Sequence, residues 1–184
     1  MRKIWILVLP LLIFLLSFNT AFAEDLSPTP TSQSNYELPY PGLLPDSPLY
    51  FFRVIRDRIV SLLISDPLKK AEFDLLQADK RLNAGVYLFN SSKKNDKNME
   101  LAISTISKAE NYFENATQKL KEAKKEGRDI LEMGNRLMES SIKHQEVLSL
   151  LKERSPKNFK TKFDMEAKRV AGFETEVKSL IPKM

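Results

Sequence analysis

Residues 99–123 read MELAISTISKAENYFENATQKLKEA, and the positions of their apolar side chains decide the fold. Met99, Ala102, Ile106, Ala109, Phe113, Ala116, Leu120 and Ala123 are spaced alternately by three and four residues, which is a heptad seam along one helix face. Every second member is alanine. The stretch before it repeats the device with Ala71, Leu75, Ala78, Leu82, Gly85 and Phe89. Small side chains at heptad spacing let two backbones approach toward the short end of the usual range, about 8–10 Å between axes. The two stretches are therefore expected to form a tightly packed antiparallel hairpin.

Working outward, Ile130, Gly134, Leu137, Ser141, His144, Leu148 and Leu151 continue the pattern, followed by Phe159, Phe163, Val170, Phe173, Val177 and Ile181. Punctuation separates these segments. Ser47-Pro48 and Asp66-Pro67 are cap-then-proline starts, Asp96 is a candidate N-cap, Gly127 with Asp129 ends one helix and begins another, and Ser155-Pro156 opens the last. The apolar run Leu49, Tyr50, Phe51, Phe52, Val54, Ile55, Ile59, Leu62 and Leu63 predicts a further helix, with Phe51 or Phe52 packing into the bundle. No stretch alternates as a strand would. The fold class is all-α, an elongated up-and-down bundle of four to five helices over residues 47–182, roughly 35–45 Å long. Met133 and Met138 are read as core filler.

The bundle is preceded by two segments of different character. Residues 1–23 carry Arg2 and Lys3, an apolar run from Ile4 to Leu16, and Ala21-Phe22-Ala23 before Glu24 and Asp25. That is the layout of a secretory signal peptide, and its alternative is a retained N-terminal membrane anchor. Residues 24–46 are rich in Ser, Thr and Pro and read as a flexible linker. The expected location is extracytoplasmic: secreted, periplasmic or at the cell surface. There is no cysteine, so no disulfide assists the fold. The chain carries 29 basic and 24 acidic residues, a formal charge of +5 to which Arg2 and Lys3 contribute. Interleaved signs argue against nucleic acid as a partner.

Residues with chemical potential are few. His144 is the single histidine, and its i±3 and i±4 neighbours Ser140, Ser141, Val147 and Leu148 supply no second metal ligand. It reads as a seam histidine bonded to a polar partner on another helix. The carboxylates Asp66, Glu72, Asp74, Asp79, Glu100, Glu110, Glu114, Glu122 and Glu139 fall off the apolar seams and read as solvated faces. So does the basic stretch Lys119, Lys121, Lys124, Lys125 and Arg128, whose charges also suit a helix C-terminus. No phosphate loop, nucleophile elbow or metal-ligand cluster is recognisable. No catalytic, cofactor-binding or metal-binding residue is assigned, and no cofactor is implied.

Leu44-Pro45-Asp46-Ser47-Pro48-Leu49-Tyr50, with Arg53 soon after and then Ala71, Glu72, Arg81 and Leu82, resembles the opening of an uncharacterised bacterial family described as a domain of unknown function. Its Leu-Pro-x-x-Pro-Leu-Tyr motif follows a signal or membrane segment and leads into long helices. Gly127-Arg128-Asp129-Ile130 and Lys143-His144-Gln145-Glu146-Val147-Leu148 look like a recurrent element of such exported helical proteins. The likeness covers residues 41–152. It implies an extracytoplasmic all-α domain of bacterial origin without an assigned activity, and brings no functional residues with it.

The expected function is that of a non-enzymatic exported helical module acting through contact with a protein or cell-envelope component. Membrane contact through residues 4–23 is expected if the leader is retained. The alternative is an extracytoplasmic sensory or ligand-binding module around His144, and a hydrolase is third.

Overall fold

The computed structural model describes residues 35–91 and 95–181. The leader and the first part of the linker lie outside the described residues, as does most of the turn after the second helix. Five helices follow in order: α1 Tyr50–Leu63, α2 Pro67–Ser91, α3 Asp96–Lys125, α4 Leu131–Arg154 and α5 Lys157–Leu180. No strand occurs among the described residues.

The helix ends are set by the local chemistry that the sequence announces. Asp66 Oδ1 accepts from Lys69 N–H at 3.0 Å, which caps α2 just before Pro67. Gly127 adopts φ +73°, and Arg128 N–H donates to Ala123 O at 3.0 Å, closing α3 with a Schellman-type turn. Asp129 Oδ1 then accepts from Leu131 N–H at 3.0 Å to start α4. Three starts differ from expectation: α1 begins at Tyr50 rather than Pro48 and α5 at Lys157 rather than Pro156, neither with a side-chain bond at its cap position, and the cap of α3 moves by a residue. Asn95, not Asp96, caps α3, through Oδ1 accepting from Lys97 N–H at 3.0 Å. Asp96 takes the first helical position, where its charge still favours the N-terminal dipole.

Every seam position named above in α2, α3 and α4 is buried, together with Phe159, Phe163, Val170 and Val177 of α5. The α2/α3 pair makes the most extensive contact, the α4/α5 pair the next, and the two hairpins pack face to face. Close approach at the first pair is visible at Gly85, where a Cβ would overlap Ile106 Cγ1. The core falls into two clusters. One joins Leu82 and Phe89 to Ala102, Ile106, Leu148, Phe163 and Val170; the other joins Ala71 and Leu75 to Phe113, Leu120, Ile130, Leu137 and Val177. This pairing of the late residues of α2 with the early residues of α3 makes the hairpin antiparallel.

Helix α1 is built the other way round. Its buried residues are Arg53 and Asp57, whereas Phe51 and Phe52 are 63% and 67% exposed. The expectation that one of these phenylalanines enters the bundle is thus corrected. The buried ion pair takes the inward position because the Arg81 guanidinium and the carbonyls of Pro41 and Leu43 are there to meet it, as described next. The stretch 35–46, expected to be a flexible linker, is likewise fastened to the helices, by individual side-chain bonds and by Leu38, which packs against the hydrophobic core.

Candidate functional site: a polar layer and an inverted helix

Between the two apolar clusters lies a layer of ionisable groups contributed by three helices. Asp79 follows Ala78 on α2, Glu110 follows Ala109 on α3, and His144 occupies the α4 seam. All three are buried, with His144 and Glu110 at 0% exposure. His144 Nδ1 stands 3.0 Å from Glu110 Oε1, and Nε2 stands 3.1 Å from Asp79 Oδ1. Phe113 meets the imidazole edge to face, 5.2 Å between ring centroids.

A carboxylate at each ring nitrogen leaves no acceptor role for the imidazole, so both nitrogens donate and the ring is held as the cation. Burial alone would lower its pKa. The charge of Glu110, with the hydrogen bonds that the ring donates to both carboxylates and the charge of Asp79, overrides this and raises it to about 9. His144 therefore matches the expectation of a seam histidine with polar partners on other helices. Asp79 and Glu110 do not match theirs. They are buried instead of facing solvent, and the imidazole between them makes that burial tolerable.

Asp79 takes two further donors. Ser140 Oγ donates to Oδ1 and the Tyr36 hydroxyl to Oδ2, each at 2.6 Å. Burial first, and the neighbouring Asp79 charge second, push the Tyr36 phenol well above its ordinary range, so it stays a donor. Asn83 Nδ2 donates to Pro39 O at 3.0 Å, fastening the same segment one turn further along α2. Beside it opens a cleft of about 530 Å³ lined by Tyr36, Glu37, Leu76, Arg136 and Glu139 among others, with Asp79 in its wall. Tyr36→Phe is expected to cost about 1.5–3 kcal/mol, because a charged acceptor loses one donor. Limited proteolysis checks it: the variant should be cut within residues 35–41 well before α2 and α3 are attacked.

A second polar group holds α1. Arg53 Nη1 donates to Leu43 O at 2.7 Å and to Pro41 O. Asp57 Oδ2 lies 3.7 Å from both Arg53 Nε and Arg81 Nη2, and among the described residues it is the buried side-chain oxygen without a hydrogen bond. Arg81 in turn donates to Gln77 Oε1 at 2.5 Å and lies over the Tyr112 ring, 4.1 Å from its centroid. The attachment of α1 is thus charged and directional. Its outward side carries the apolar residues.

The remaining candidates are structural. Of the basic stretch, Lys119 pairs with Glu122 at 2.6 Å, Lys121 with Glu176, Lys124 with Leu180 O at 2.6 Å and Arg128 with Asp66 at 2.9 Å. Asp74 is buried rather than solvated, and burial raises its pKa to about 6 against the pull of Lys70, Lys119 and Arg81. No group of three or more His, Cys, Asp or Glu among the described residues is placed to hold a metal ion.

A family model described as Domain of unknown function (DUF5667) matches residues 42–158. The chain belongs to the DUF5667 family. No curated protein and no solved structure matches it. The DUF5667 segment contains α1 to α4 and hence the Arg53/Asp57/Arg81 group and the Asp79/His144/Glu110 layer. Tyr36 and nearly all of α5 lie outside it, so in this DUF5667 protein the strap on Asp79 and the fourth bundle helix come from flanking sequence.

Proposed function

We propose that this chain is a non-enzymatic module, placed outside the cytoplasm by its N-terminal leader, that works by contact with a protein or cell-envelope component. The observation that carries this reading is α1, which buries Arg53 and Asp57 while its phenylalanines, leucines and isoleucines face outward. A surface of that kind is an interaction site by the ordinary rule for exposed apolar patches. The polar layer speaks for a structural role: an imidazolium with both N–H groups donating to carboxylates is no general base, and the Ser140 hydroxyl donates to Asp79 rather than to the ring.

The test is photo-cross-linking in cells that express the full chain, with the photoreactive residue at position 52, 59 or 62 and a control at exposed Met165 of α5. Adducts of defined mass from the α1 positions alone are expected. Equal, featureless labelling from α1 and Met165 would overturn the reading. A sensory role is favoured by one observation, the hydrogen-bonded chain Tyr36–Asp79–His144–Glu110 that leads from the cleft into the core. Its signature is the strap release described above for Tyr36→Phe, produced in the unaltered chain by a ligand or by pH.

A further inference from the structure

We propose that the outward face of α1 lies in the interface of an anionic lipid bilayer; this rests on the contact reading above and names its partner. At 3.6 residues per turn, Phe51, Phe52, Ile55, Ile59, Leu62 and Leu63 fall within an arc of about 120°, with the less exposed Val54 and Val60 outside it on either side. Arg58 stands just beyond one edge of that arc and Arg56 just beyond the other. Both are exposed; Arg56 also reaches back to the helix's single acid, the buried Asp57, its Nη2 donating to Oδ1 at 2.8 Å, so Arg58 carries the unshared charge of the rim. An apolar arc with arginines along both rims is the arrangement of a helix that lies in the plane of a membrane, its side chains among the acyl chains and its cations among phosphate groups.

Fourteen residues do not cross a bilayer, so this helix would lie along the surface rather than span it. Charge complementarity chooses lipid over a second copy of the chain. Two α1 faces brought together by a two-fold axis set arginine rims against arginine rims, with no exposed acid on either helix to pair with them. Anionic headgroups supply the missing charge. The position of α1 along the chain agrees. Residues 24–34 are the only stretch between the apolar leader and the described body, and eleven residues reach at most about 40 Å when extended. A retained leader would be one membrane signal and α1 the second, the combination that stable peripheral attachment requires.

The absence of cysteine makes the experiment direct. A cysteine is placed at position 59, or at 165 as control, in the full chain, labelled with an environment-sensitive fluorophore, and reconstituted with vesicles of phosphatidylcholine alone or with 30% phosphatidylglycerol. The label at 59 is expected to shift to the blue and be quenched by lipid-borne quenchers in the anionic vesicles, with the label at 165 unchanged. In Arg58→Gln, an exposed change that leaves the Arg56–Asp57 pair in place, the ratio of inserted to solvent-facing label should fall about fivefold. Three results would overturn the proposal: position 59 behaving like 165, equal insertion in both vesicle types, or a concentration-dependent blue shift without vesicles, which would mean a second copy. Protein adducts from the cross-linking test together with a solvent-facing label at 59 would leave the contact reading standing and remove the lipid.

Discussion

His144→Ala is expected to cost about 3–5 kcal/mol in folding stability, measured by urea denaturation at pH 7. The loss would come less from the cavity than from what is left behind. Asp79 and Glu110 are both almost fully buried, and the imidazolium is the cation that the structure places between them. Without it, two carboxylates face one another in a medium that solvates neither, and one must take up a proton or the layer must open. Glu110→Gln in the His144→Ala background should recover part of the loss, since the amide keeps the shape and removes one charge.

The same residue sets a pH dependence. Its folded pKa of about 9 lies above its ordinary value of 6.5, so the folded state holds the proton more tightly than the unfolded state does. That contribution is fully present below pH 6.5 and is lost as pH rises toward and through about 9, for a total of up to about 3 kcal/mol. Asp74 acts lower. Its folded pKa of about 6 exceeds the ordinary 3.8, so its influence falls between those values and leaves the alkaline limb to His144. Denaturation midpoints from about pH 7 to 9.5 should therefore decline in the unaltered chain, and the decline should flatten in His144→Ala/Glu110→Gln, which removes the imidazole and one of the two carboxylates that would otherwise face each other.

Gly85→Leu is the second change expected to be severe, at about 3 kcal/mol or more. A Cβ at this position would already overlap Ile106 Cγ1, and it would stand 3.0 Å from Ile106 Cδ1 and 3.4 Å from Ala102 O. Ile106 is fully buried and cannot swing away, and the carbonyl belongs to the α3 backbone, so the hairpin would have to part. Gly85→Ala sets two terms against each other: helix propensity favours alanine by about 1 kcal/mol, and the overlap opposes it. The control is Gly172, also within a helix, where nothing lies within 4 Å of a built Cβ. Gly172→Ala should stabilise by about 0.5–1 kcal/mol. Thermal denaturation of the three variants checks the ordering.

The seams were legible because periodicity depends only on near neighbours in the chain. Ala102, Phe113 and Leu120 declare themselves at spacings of three and four. Asp79 and Glu110 were not legible for the same reason. Each sits one residue past an alanine of the seam, a position that solvent covers in a two-helix hairpin and a third helix covers in a bundle. The histidine that reaches them is 65 and 34 residues away. Helix α1 failed differently. Its apolar residues occupy most of its circumference, so periodicity left the inward side undecided, and Arg53 and Asp57 won it through contacts with Arg81 and the carbonyls of Pro41 and Leu43. The strap at 35–46 was hidden because composition averages over residues, whereas its attachment rests on single bonds such as Tyr36 to Asp79.

The alanine seam of α3 also has a weakness that the polar layer removes. Ala102, Ala109, Ala116 and Ala123 are interchangeable under a shift of seven residues, so packing alone would let α3 slide along its neighbours and seat again almost as well. A carboxylate occurs at only one step of that ladder. Moving α3 by a heptad in either direction brings Ile103 or Thr117 to face the imidazolium in place of Glu110. One buried charge thus gives a repetitive interface a unique address, and the bundle a single alignment instead of several.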